Sequence, residues 1–209
     1  MTKIKVCGIR DKETGKYAEK LGADALGFIL CPSKRRIDLD ILKDITSNLR
    51  NEVEKVGVFV NSSEDEIKKY YYEGGLSMVQ LHGDEDENFI RKLPFKVIKA
   101  FNIETLEDIN KALNYDVPFV LLEGKGILKG GNGNKISSEL LEFLGTVNKK
   151  DRERIILAGG LSAENVVDAI DIAKPYMVDV SSSLEVYGVK NKQKIKEFIE
   201  IVRGHNINV

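Results

Sequence analysis

Eight short apolar runs alternate with eight amphipathic stretches from one end of this chain to the other. The runs read as strands at 4–9, 25–30, 55–60, 78–82, 96–101, 118–123, 154–159 and 176–181. Helical patterns fill 12–21, 38–49, 63–74, 85–93, 104–113, 137–147, 162–173 and 190–203. In the second of these, Leu39, Ile41, Leu42, Ile45 and Leu49 recur at near-helical spacing. Ser162 is expected to cap the helix at 162–173, and Gly204 to stop the last one. The strands are rich in Val, Ile, Leu and Phe, as when both faces of a sheet are covered. Strict alternation implies parallel strands joined by right-handed crossovers. Eight units in 209 residues allow about 26 residues each, compact for a closed eight-stranded barrel. The rival is an open doubly wound sheet, whose dinucleotide-binding form carries GxGxxG after its first strand. This chain has Cys7-Gly8-Ile9-Arg10 there. The expected fold is α/β, a single (β/α)8 barrel over residues 1–209, with eight parallel strands and surrounding helices.

Composition narrows the partners. The 32 basic and 33 acidic side chains give a net charge of −1, so no positive excess calls for nucleic acid or an anionic membrane. Cys7 and Cys31 are the two cysteines, a count that excludes a disulfide scaffold and suits a reducing cytoplasm. The first residues enter a strand at once, and no apolar stretch has the length to span a bilayer. No His/Cys/carboxylate cluster has metal-ligand spacing, and there is no P-loop.

In a barrel of this kind the carboxyl ends of the strands meet at one mouth, where the chemistry is done. Strand one ends at Cys7 and strand six at Glu123. A thiol and a carboxyl facing one pocket can divide a proton transfer, one taking and one giving. A free thiol, with a pKa near ~8.5, needs positive charge nearby to act as a base at neutrality. From spacing alone Cys7 reads more readily as a small buried hydrophobe. Glu123 closes the apolar run Phe119–Leu122, where a carboxylate is costly unless paired or at the mouth. Gly159-Gly160 after strand seven and Ser181-Ser182-Ser183 after strand eight fall where such barrels bind phosphate. Arg35 or Arg36 after strand two can fork onto a carboxylate or phosphate, or sit in a solvated basic loop with Lys34. His82 reads as a site residue or as a structural hydrogen-bonder at the end of strand four. Cys31 reads as inert, and Tyr70-Tyr71-Tyr72 as packing.

Together these residues resemble the phosphoribosylanthranilate isomerase family, barrel enzymes of tryptophan biosynthesis. The likeness covers about residues 3–203. It is carried by Lys5-Val6-Cys7-Gly8-Ile9, the run Gly22 to Phe28, Ser33-Lys34-Arg35, the run Val56 to Asn61, Val79-Gln80-Leu81-His82-Gly83, Gly130-Gly131-Asn132-Gly133, Leu157 to Leu161 with Glu164-Asn165-Val166, and Val178 to Ser182. The resemblance implies an Amadori rearrangement of N-(5′-phosphoribosyl)anthranilate. It makes Cys7 the general base and Glu123 the general acid. Arg35, with Arg36 as the alternative, faces the anthranilate carboxylate. His82 and Gly131 join the substrate-binding residues, and Asp179 holds a sugar hydroxyl. Gly159, Gly160, Ser181 and Ser182 hold phosphate. No metal or cofactor is implied. The partner is a small phosphosugar–anthranilate substrate, and the protein is a monomer or homodimer.

The chain also departs from the family. Glu123 stands where Asp is usual, and the extra methylene moves the carboxyl by roughly 1.5 Å. Arg36 replaces the usual aromatic, Ser183 the usual Gly, and there is no Trp. Two other functions remain alongside the isomerase: another phosphosugar isomerase or epimerase, and a non-catalytic or altered-specificity phosphate-binding barrel.

Overall fold

The computed structural model describes residues 1–124 and 136–207. Among them a closed barrel is formed by β1 (Lys3–Cys7), β2 (Ala25–Ile29), β3 (Glu54–Phe59), β4 (Met78–Leu81), β5 (Val97–Ile103), β6 (Phe119–Gly124), β7 (Ile155–Ala158) and β8 (Met177–Val180). Each strand pairs in parallel with the next, and β8 returns to β1 with Lys5 opposite Asp179. Around the barrel lie α1 (Lys12–Leu21), α2 (Leu39–Thr46), α3 (Glu64–Glu73), α4 (Glu87–Ile90), α5 (Leu106–Leu113), α6 (Ser138–Thr146), α7 (Lys149–Arg152), α8 (Val166–Ala173) and α9 (Lys192–Ile207). Side-chain caps start several of them. Asp11 accepts from the Thr14 amide, Asp38 from Ile41 and Ser63 from Glu66, while Thr105 and Asp108 form a capping box.

Period-two alternation sorts the strand residues into two layers. Ile4, Val6, Leu26, Phe28, Val79, Leu81, Val120, Leu122, Leu157 and Val178 face the helices in one continuous core. The barrel interior has its own cluster of Ala25, Val56, Met78, Ile98, Ala100, Leu121, Ile156, Ala158 and Met177. Toward the carboxyl ends of the strands the interior turns polar. Lys5, Gln80 and Asp179 are buried there, and Cys7 follows Lys5 on the same face. The molecule therefore has an apolar floor and a polar mouth.

The structure also departs from the sequence reading. The helix expected at 162–173 starts at Val166, because Asn165 bridges the Ser162 amide and the Gly160 carbonyl and shapes a turn first. The Ser162 hydroxyl bonds Glu164 instead of capping the helix. Helix 85–93 shrinks to α4, because the Glu85 carboxylate is drawn inward to Lys99 (3.0 Å) and to the amides of Asn61 and Gly83. Gly204 does not stop α9, which runs on to Ile207. Its last turns are tied down by Arg203 to Asp24, His205 to Asp171, and Asn206 to the Thr2 backbone. Unforeseen were α7 and a hairpin of β9 (Glu185–Val186) with β10 (Val189–Lys190), which follows a 3-10 turn at Ser182–Leu184. No helix among the described residues is long and apolar enough to cross a membrane.

Helix α9 packs on α1 and α8 beside the β1–β8 closure and buries Ile195, Phe198, Ile199 and Val202. Phe198 is fully buried, so Phe198→Ala is expected to cost about 3–5 kcal/mol in chemical denaturation.

Candidate active site

A cleft of about 250 Å3 opens at the carboxyl ends of the strands. Cys7 from β1, Gln80 and His82 from the end of β4, Glu123 from β6 and Asp179 from β8 all line it, with Arg35 at its rim. The loop Gly159-Gly160 and the stretch Ser181–Ser183 complete the wall. A larger groove, about 820 Å3, lies at the opposite end of the barrel between the chain start, α7 and the end of α9, and collects none of the expected residues. Arg36 is exposed and outside the cleft, so of the two neighbouring arginines it is Arg35 that faces it. Gly131 lies outside the described residues. Cys31 is buried elsewhere as a free thiol. Among the described residues, no group of three or more His, Cys, Asp or Glu side chains is placed to hold a metal ion.

Cys7 sits where β2 makes room for it. A Cβ at Gly27 would stand 2.6 Å from the Cys7 sulfur, so glycine there clears the space the thiol occupies. Just below, Lys5 is fully buried and its ammonium donates to Asp179 Oδ2 at 2.9 Å. Asp179 Oδ1 is buried and has no hydrogen-bond partner among the described residues. Burial pushes the Cys7 thiol above its ordinary range, and Asp179 adds to the rise, while Lys5 and Lys190 pull the other way. Burial opposes the Lys5 charge, yet Asp179 and Cys7 hold its pKa above the usual lysine value.

Across the mouth, His82 Nε2 lies 3.3 Å from Glu123 Oε2, and His82 Nδ1 lies 3.2 Å from the Gln80 amide nitrogen. With that amide as donor, the ring proton sits on Nε2 and faces Glu123. Gln80 on β4 and His82 just past its end are two apart and both line the cleft, so the imidazole is held from behind.

The hairpin brings a third group of charges. Arg35 binds Glu185 through two donors, Nε at 2.7 Å and Nη2 at 2.8 Å, and Lys190 reaches the same carboxylate at 2.9 Å. Lys190 also donates to the Ser181 carbonyl, and the Ser181 hydroxyl to the Cys7 carbonyl (3.1 Å). Ser183 is turned away to the Leu161 carbonyl. In the loop after β7, Gly159 and Gly160 have φ of 90° and 64°, conformations that suit glycine and bring backbone to the cleft surface. Lys5, Gln80, Glu185 and Lys190 had not been singled out as candidate site residues. For Gln80 a signal existed, its two-residue spacing from His82. For Lys5 it was a charge inside an apolar run.

Burial works against ionisation of Glu185, but hydrogen bonds from Arg35 and Lys190 hold its carboxyl down, from 4.5 to about 2. A carboxyl lowered on folding stabilises the fold above its unfolded pKa and loses that contribution as pH falls through the folded value. Stability should therefore fall between about pH 4.5 and 2, with Glu185 contributing to the loss. Glu185→Gln should flatten that acid limb, as read by urea denaturation across the range.

The family model for N-(5′-phosphoribosyl)anthranilate isomerase matches residues 4–201. N-(5′-phosphoribosyl)anthranilate isomerase of Bacillus cereus (strain AH187) is 48% identical over 198 residues, covering 94% of this chain and 96% of that protein. Phosphoribosyl anthranilate isomerase from Thermotoga maritima superposes with a TM-score of 0.87 at 36% identity, covering 98% of this chain and all of that one. A further solved isomerase, in complex with reduced 1-(o-carboxyphenylamino)-1-deoxyribulose 5-phosphate, superposes at 0.83 with 35% identity and the same coverage. By sequence and by fold, the chain belongs to the N-(5′-phosphoribosyl)anthranilate isomerase family.

Proposed function

We infer that this protein converts N-(5′-phosphoribosyl)anthranilate to 1-(2-carboxyphenylamino)-1-deoxyribulose 5-phosphate, with Glu123 as general acid and Cys7 as general base. The observation that carries the assignment is that these two groups, from strands far apart in sequence, line one cleft beside the Gly159-Gly160 loop and the serines after β8. Glu123 gives its proton to the furanose oxygen as the C1′–O bond breaks. The nitrogen lone pair then forms a protonated imine at C1′. The Cys7 thiolate takes the C2′ proton, and the released pair makes the C1′=C2′ bond of an enolamine, which becomes the 2′-ketone. Electrons move from C2′ to C1′ within the substrate.

His82, oriented by Gln80, holds the Glu123 carboxyl in place. Asp179 Oδ1, buried and without a partner among the described residues, is suited to accept from a sugar hydroxyl. Gly159, Gly160, Ser181 and Ser182 take the phosphate, and Arg35 takes the anthranilate carboxylate. The Arg35 fork is already engaged by Glu185, so the substrate would meet a guanidinium held rigidly in one orientation.

Cys7→Ala is expected to cut turnover roughly 100- to 10,000-fold with the fold intact, and near-normal turnover would remove Cys7 from the mechanism. Glu123→Gln should lose activity, whereas Glu123→Asp should keep it. A Gln variant as fast as the parent would mean that another group is the acid. Growth of a tryptophan auxotroph lacking this isomerase, when supplied with this chain, tests the activity as a whole. Failure to rescue with soluble, folded protein would favour a binding role.

A further inference from the structure

The buried charge beneath Cys7 has no part in the mechanism just given. Lys5 is a fully buried ammonium next to the apolar cluster of the barrel interior. A charge in that position is costly unless held by a partner, and one partner is plain: Asp179, its register neighbour across the β1–β8 closure. An ion pair used only to close the barrel could sit anywhere along the seam. This one sits one inward position below the thiol, because Lys5 and Cys7 share a face of β1.

We propose that Lys5 is a positioning residue for the reaction, whose ammonium, held by Asp179 one inward position below Cys7, stabilises Cys7 as the thiolate that accepts the substrate proton. This rests on the assignment of Cys7 as base. The geometry supports it in two ways. Asp179 clamps the ammonium through Oδ2 alone, leaving the other donors of the –NH3+ group for other acceptors, and Cys7 is the next inward residue on the same strand. Gly27, opposite Cys7 on β2, leaves the space in which the sulfur sits. The other charges that bear on the thiol are Lys190 from β10 and Arg35 from the loop after β2, both held by Glu185, and Asp179 from β8. Of the three cations Lys5 is the one carried on the strand that bears the thiol.

The test reads the thiol rather than turnover, so it separates this inference from the isomerase assignment. In a Cys31→Ala background, which leaves Cys7 as the sole thiol, the rate of alkylation by iodoacetamide is followed against pH by mass spectrometry. Its midpoint reports Cys7 ionisation. Lys5→Met, which keeps the side-chain length and removes the charge, should raise the midpoint by at least about one pH unit. Asp179→Asn removes the opposing carboxylate and should lower it. A purely structural ion pair would give both variants the same sign, or neither any shift, and either result overturns the proposal. If Lys5→Met does not fold, the Asp179→Asn arm still decides: an unmoved or raised midpoint refutes it. If Cys7→Ala retained full turnover while the opposite shifts were seen, the role of Cys7 as base would fail but the electrostatic coupling would stand.

Discussion

The closure of β1 onto β8 is the constraint on which the rest depends. Lys5 stands opposite Asp179 across that seam, so the two charges meet inside the barrel at the moment the sheet becomes a cylinder. The same register puts Cys7 at the end of β1 and brings its carbonyl to the Ser181 hydroxyl at the end of β8. A slip of one residue would send Lys5 and Cys7 outward among the helices and bring Ile4 and Val6 inward, since side chains alternate strictly along a strand. The buried pair therefore opposes the wrong register as much as it supports the right one. Placing an ammonium in the apolar layer that holds Phe28 and Phe198 would leave it without a partner.

From that seam the interior divides along its axis. Methionines, isoleucines and alanines fill the floor. Above them, beside apolar Ile29, Val58 and Ala158, polar residues of the mouth are held by a second polar residue: Lys5 by Asp179, His82 by Gln80, Arg35 by Glu185. Support of this kind limits the conformations of groups that must meet a substrate, as charges in a site shielded from water are effective when already aligned.

Much of this was legible in the sequence because it is written locally. An apolar run announces its own end, so Cys7 and Glu123 could be placed at a mouth once the alternation was read as a barrel. Gly159-Gly160 was legible for the same reason. What was missed depends on partners distant in the chain. Lys5 meets a residue 174 positions away, and no local pattern reports that. Gly204 has the chemistry of a helix stop, but the ties from Arg203, His205 and Asn206 to the barrel base override a preference worth about 1 kcal/mol. Glu85 looked like the first turn of a helix, yet its bond to buried Lys99 takes it out of that helix. Arg35 and Arg36 are chemically alike and adjacent, so the path of the loop after β2 alone separates them.

The hairpin after β8 divides into a stem and a tip with opposite tolerances. Its stem residues Glu185 and Lys190 are connected through Ser181 to the carbonyl of the strand that bears the thiol. Its tip, Tyr187-Gly188, turns with positive φ at both residues and leaves the tyrosine ring fully in solvent. Fluorophores, affinity handles or inserted peptide belong at that tip. The same graft two residues along the stem would tug on the sulfur.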